Sequence, residues 1–98
     1  MIITKNIDGD TLTFTLEGRL DTTTSPQLEA ELKQSVGGMK ELIFDFSGVE
    51  YISSAGLRVL LAAQKVMNRQ GSMKLTGVND NVLEVFEITG FIDILTLE

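Results

Sequence analysis

From Thr11 to Glu17 the chain alternates cleanly, with Leu12, Phe14 and Leu16 on one side and Thr11, Thr13 and Thr15 on the other. A period of two predicts a half-buried strand. Ahead of it, Met1 to Ile7 carries Ile2, Ile3 and Ile7, and Asp8-Gly9-Asp10 separates the two stretches. Asp-Gly between apolar runs predicts a hairpin, so these two strands pair antiparallel. The period then changes. Beyond Gly18-Arg19-Leu20-Asp21 and Thr22-Thr23-Thr24-Ser25-Pro26-Gln27, the apolar residues Leu28, Leu32 and Val36 recur in steps of four, with Glu29, Glu31 and Lys33 turned to solvent. That is the stripe of an amphipathic helix. Pro26 suits its first turn. Either Ser25 caps this helix, or Thr24 does with Gln27 as its capping-box partner; Gly37-Gly38 ends it.

Glu41 to Phe46 reads as a third strand, and the continuous run Leu42 to Phe44 predicts cover on both faces. Ser47-Gly48 reads as a turn and Val49-Glu50-Tyr51-Ile52 as a short link. Leu57, Leu60, Leu61, Gln64 and Met67 then repeat at helical spacing, which predicts a helix over Ser54 to Gln70 with Gly71 as a left-handed terminator. Met73 to Leu75 forms a short strand. Residues 76–81 form a loop in which Asp80 or Asn81 caps a third helix marked by Val82, Val85, Phe86 and Thr89, and Gly90 breaks it. Phe91 to Leu97 fits a last strand or a helix-like tail.

The expected fold is α/β, one domain over residues 1–98. It has a mixed sheet of four to five strands with helices packed on it, in the order strand-strand-helix-strand-helix-strand-helix with right-handed crossovers. Loops after the parallel strands gather at one edge of such a sheet. That argument puts the stretch Ile52 to Leu61 at the edge, with Asp21 and Asp45 at strand ends nearby.

Composition narrows the chemistry. The 98 residues contain no cysteine and no histidine, and the net charge is −6. No disulfide framework, thiolate site or histidine base can be built. The acidic balance argues against a nucleic-acid partner. No apolar run is long enough for a membrane span, and the N-terminus has no signal-peptide pattern. A cytoplasmic domain without membrane insertion is expected. The carboxylates Asp21, Asp45, Glu50, Asp80 and Asp93 are scattered, no nucleophile–base pair assembles, and no phosphate-binding loop appears. The chain therefore reads as a non-enzyme with no cofactor and no metal. Arg58, Lys65 and Arg69 read as a solvated helix face, and Met67 and Met73 as core filler.

Ser53 and Ser54 stand before the second helix. The structural reading makes one of them an N-cap, worth about 0.5–2 kcal/mol. The functional reading notes that Ala55 and Gly56 leave the first turn bare, so that Ser54 can be reached. A helix start favours added negative charge, which suits a phosphate there.

The run Asp45-Phe46-Ser47-Gly48-Val49-Glu50-Tyr51-Ile52-Ser53-Ser54-Ala55-Gly56-Leu57-Arg58-Val59-Leu60-Leu61 resembles the signature of the STAS domain, shared by bacterial anti-sigma-factor antagonists and sulfate-transporter tails. Gly18-Arg19-Leu20-Asp21 resembles a second family element, and the order of strands and helices extends the likeness over essentially the whole chain. The resemblance implies an anti-sigma-factor antagonist. Its partner would be an anti-sigma factor with serine-kinase activity, which binds the unmodified antagonist and then phosphorylates it. A serine phosphatase is the candidate for reversing the mark.

The family's modified serine lies two residues before the Gly-Leu pair, which here is Ser54. An aspartate usually precedes it; this chain has Ser53 there, which leaves Ser53 as the alternative target. The implied docking surface comprises Asp21, Asp45, Ser53, Ser54, Ala55, Gly56, Leu57 and Arg58. The competing expectation is a STAS-type subunit of a lipid or anion transport system that is not regulated by phosphorylation.

Overall fold

A computed structural model describes residues 1–98. Strand β1 (Ile2–Asp8) turns at Gly9 into β2 (Thr11–Leu20); helix α1 (Ser25–Ser35), strand β3 (Glu41–Ile52), helix α2 (Ser54–Gln70), strand β4 (Ser72–Thr76) and helix α3 (Asp80–Thr89) follow. The tail makes a single 3-10 turn over Phe91–Asp93, and Leu97 then bridges in parallel to Leu75. Both tail readings therefore hold in part. The sheet order is β1-β2-β3-β4. β1 pairs antiparallel with β2, and β2–β3 and β3–β4 are parallel. The mixed sheet with its hairpin and two crossover helices is as the sequence predicts.

One face of this sheet carries the core. Leu12, Phe14 and Leu16 of β2, Leu42, Phe44 and Phe46 of β3, and Met73 and Leu75 of β4 all point there. They form one cluster with Leu28 and Leu32 of α1, Leu57, Leu60 and Met67 of α2, and Val82 and Phe86 of α3. An aromatic chain crosses it: Phe14 stacks on Phe44 at 5.8 Å, Phe44 meets Phe46 edge-on at 6.3 Å, and Phe46 reaches Phe86 at 6.4 Å. Ile43 and Asp45 lie on the opposite face and are only half-buried. The expectation of cover on both faces of β3 is therefore corrected. The run Leu42 to Phe44 is apolar throughout, yet only alternate residues enter the core.

The largest difference from the sequence reading is the length of β3. Ser47-Gly48 is not a turn, and the link to Ile52 is strand. Thr15 pairs with Asp45 but Glu17 with Gly48, and Gly18 pairs with Val49 but Arg19 with Tyr51. Each step inserts one extra residue on β3, a bulge. Each extra residue reverses the side-chain alternation, so Phe46, Val49 and Ile52 all point into the core at spacings of three. A period-two search stops at the first bulge. Asp45 supports it: Oδ1 accepts from the Ser47 amide at 2.9 Å and the Ser47 hydroxyl at 2.7 Å. Gly48 is required because a Cβ there would lie 2.9 Å from the Leu16 carbonyl oxygen.

Three caps also differ. Asn79, and neither Asp80 nor Asn81, caps α3 by accepting from the Val82 amide at 2.9 Å, while its Nδ2 donates to the Val49 carbonyl at 2.7 Å. Gly71 is extended, with φ 178; its side of the chain lies against the Lys40 carbonyl, where a Cβ would overlap. Close approach ends α2, with no left-handed residue. Thr24 stands at the cap position of α1 but makes no side-chain cap bond.

Candidate functional site: the turn between β3 and α2

Ile52 closes β3 beside Leu20. The Ser53 amide donates to the Leu20 carbonyl at 2.9 Å, and the Leu57 amide donates to the Ser53 carbonyl at 3.0 Å. These bonds fix the handover from strand to helix at both ends. Ser53 is the extended cap residue of α2, with φ −101 and ψ 176. Its hydroxyl caps nothing; it is buried and has no hydrogen-bond partner. Ser54 is the first helical residue and is exposed. The two hydroxyls that the sequence left as alternatives are thus unlike: one is sealed and one is reachable. The expectation that one of them caps the helix through its side chain is corrected.

The turn is less bare than expected. Gly56 and Leu57 are buried, Ala55 is half-buried, and Arg58 is exposed. A Cβ on Gly56 would lie 2.8 Å from both Ile52 Cγ1 and Leu20 Cγ. Glycine lets the first turn of α2 sit directly on the ends of β2 and β3. Gly56 and Leu57 shape the surface from beneath; Ser54, Ala55 and Arg58 present it.

Asp21 leaves β2 next to this turn. Its Oδ1 accepts from the Thr23 amide at 3.0 Å and the Thr24 amide at 3.1 Å. Thr24 Oγ1 accepts from the Asp21 amide at 2.9 Å and donates to the Arg19 carbonyl at 2.7 Å. Arg19 Nε stands 3.7 Å from Asp21 Oδ2. The Thr24 amide first, then the Thr23 amide, the Thr24 hydroxyl and the Arg19 charge, hold the Asp21 carboxyl below its ordinary 3.8 against the desolvation that raises it.

Asp45 does not join the site. It pairs with Thr15, whereas the turn begins beyond Leu20; five residues of strand are about 16 Å. Its carboxyl is also lowered, mainly by the Ser47 hydroxyl and then the Ser47 amide. That chemistry belongs to the bulge. The expectation that Asp45 sits at a strand end by the turn is corrected, because β3 runs on for seven more residues.

The sequence reading missed a pair beside the turn. Arg19 and Tyr51 are register partners, and the guanidinium lies 4.3 Å from the centre of the Tyr51 ring. Tyr51 remains 41% exposed. Only the bulges bring these two into register. On the other flank, a groove of about 280 Å³ separates the starts of α1 and α2; Thr22, Ser25, Pro26, Ala55 and Arg58 are among its walls. None of the five ion pairs in the structure includes Arg58, Lys65 or Arg69.

The strand–helix turns of this one-sided mixed sheet thus carry an exposed hydroxyl, a fixed carboxylate and a guanidinium with no ion pair. The chain belongs to the STAS domain family, whose sequence model matches residues 2–98. Among curated relatives, BtrV of Bordetella bronchiseptica, named as a candidate anti-sigma factor antagonist, is 43% identical over 90 residues, spanning 90% of this chain and 77% of BtrV. The anti-sigma-B factor antagonist of Listeria monocytogenes is 34% identical over 98 residues, covering 96% of this chain and 84% of its own length. Among solved structures, the Bacillus anti-sigma factor antagonist SpoIIAA superposes with TM-scores of 0.78 unphosphorylated and 0.77 phosphorylated, at 17% and 18% identity; the matches cover 99% of this chain and 87% and 91% of SpoIIAA. At that identity the likeness is one of fold.

Proposed function

We propose that this protein is an anti-sigma factor antagonist that acts by partner switching. It binds an anti-sigma factor through the surface around Ser54, and phosphorylation of Ser54 by that partner ends the binding. The names of BtrV and the Listeria relative support the first half. The observation that carries the second is the exposed Ser54 hydroxyl beside the sealed Ser53 hydroxyl.

The chemistry is a phosphoryl transfer. Ser54 Oγ forms a bond to the terminal phosphorus of a nucleoside triphosphate as the bond to the diphosphate leaving group breaks; the hydroxyl proton passes to a base of the kinase. The product carries about 1.5 to 2 added negative charges and three acceptor oxygens. On its own helix the charge is favourable by about 0.3–1 kcal/mol, so the fold persists. Against a closely packed partner the same charge must be desolvated, and binding weakens. A serine phosphatase would restore the binding form. The domain acts as a ligand of proteins and does no chemistry of its own. No helix is long and apolar enough to cross a membrane, and a cytoplasmic site of action follows from the role proposed.

Incubation with serine kinases of the anti-sigma class and ATP, followed by mass-spectrometric mapping, tests this. Label on Ser54, absent from Ser54→Ala, is expected. Failure to label Ser54 or Ser53 with a demonstrated binding partner would reject the switch.

A further inference from the structure

Ser54 and Arg58 occupy the first and fifth positions of α2. Residues four apart lie on one helix face, and both side chains here are exposed. Arg58 has no acidic partner. Asp21 is engaged by Thr23, Thr24 and Arg19, and Glu29, which also lines the groove, pairs with Lys33 at 3.4 Å. The first turn of α2 holds no acid and no side-chain cap, so its amides and the guanidinium are uncompensated together. The groove walled by Arg58 and Ala55 leaves about 280 Å³ beside them. It is also walled by Ser25, which is 3% exposed and whose Oγ has no partner.

We propose that a phosphoryl group on Ser54 is captured on its own chain by Arg58, through charge-assisted hydrogen bonds from the guanidinium. This rests on the reading of Ser54 as the modified residue and specifies how the mark works. The mark then does two things at once. It places negative charge where the partner docks, and it withdraws the Arg58 guanidinium from any partner. A carboxylate at position 54 is shorter and carries a single charge, so it engages Arg58 less and imitates the mark only in part.

The test installs phosphoserine at position 54 during translation, so no kinase is needed. Phosphorus NMR then follows its second ionisation, ordinarily near pH 6. With Arg58 present the acidity constant should exceed that of Arg58→Gln by about two- to fivefold. Arg58→Lys should keep part of the difference. Lys65→Gln, eleven residues on and about 16 Å along the helix, should match the parent. Equal titration of the parent and Arg58→Gln overturns the proposal, as does a Lys65→Gln shift as large as that of Arg58→Gln. Either result leaves the kinase assay above unaffected, and failure of that assay leaves this titration readable.

Discussion

Ile52 points into the core and hands over directly to Ser53, whose hydroxyl is drawn in behind it, while Ser54 takes up the first outward position of the helix. The partition of the two serines follows from where the strand's last inward residue falls. Ser54→Ala should change stability by no more than about 0.5 kcal/mol in urea unfolding, because the exposed hydroxyl caps nothing. Gly56→Ala should destabilise by about 1–3 kcal/mol, since the new methyl meets Ile52 and Leu20 within 3 Å. Asp21 predicts a pH dependence. Its carboxyl titrates below 3.8 in the folded protein, so its contribution to stability is full above the unfolded value and is lost as pH falls through the lower folded one. Asp21→Asn should lessen the loss of stability as pH falls below about 4, measured by thermal unfolding at each pH.

Helices α1 and α2 and the hairpin were legible because their periodicity is unbroken: Leu28 and Leu32, Leu57 to Met67, and Leu12 to Leu16 each keep one face inward. The second half of β3 was not, because Phe46, Val49 and Ile52 are spaced by three, which matches no single period. The turn residues Ser47 and Gly48 belong to a bulge whose pairing is set by Leu16 and Glu17 on another strand. The same hidden length misplaced Asp45. The motif placed Ser54 and Asp21 beside the turn, where the structure has them; it gave no sign of the Arg19–Tyr51 stack, which exists only in the bulged register. Asp45→Ala should therefore cost about 0.5–1.5 kcal/mol of stability by releasing the Ser47 amide and hydroxyl, which are exposed, and leave affinity for the partner unchanged. An affinity loss at equal folding would return Asp45 to the docking surface. Asn79→Ala removes both the α3 cap and the bond to Val49, and a loss of about 1–3 kcal/mol is expected.

The one-sided core leaves the turn between β3 and α2 at the rim of a rigid sheet, held by Leu20, Ile52 and Gly56. Under the proposed function, a modification there would meet a fixed backbone, and its effect would pass to whatever docks and not into refolding. Ser54→Asp should unfold within about 2 °C of the parent and bind the anti-sigma partner at least about tenfold more weakly, a difference of about 1.4 kcal/mol. The direct test is a calorimetric titration of one anti-sigma factor with the unmodified protein and with protein phosphorylated stoichiometrically on Ser54. Tight binding of the first and a loss of at least about tenfold for the second is expected. Equal affinity of the two forms, with the phosphate verified on Ser54, would contradict the switch.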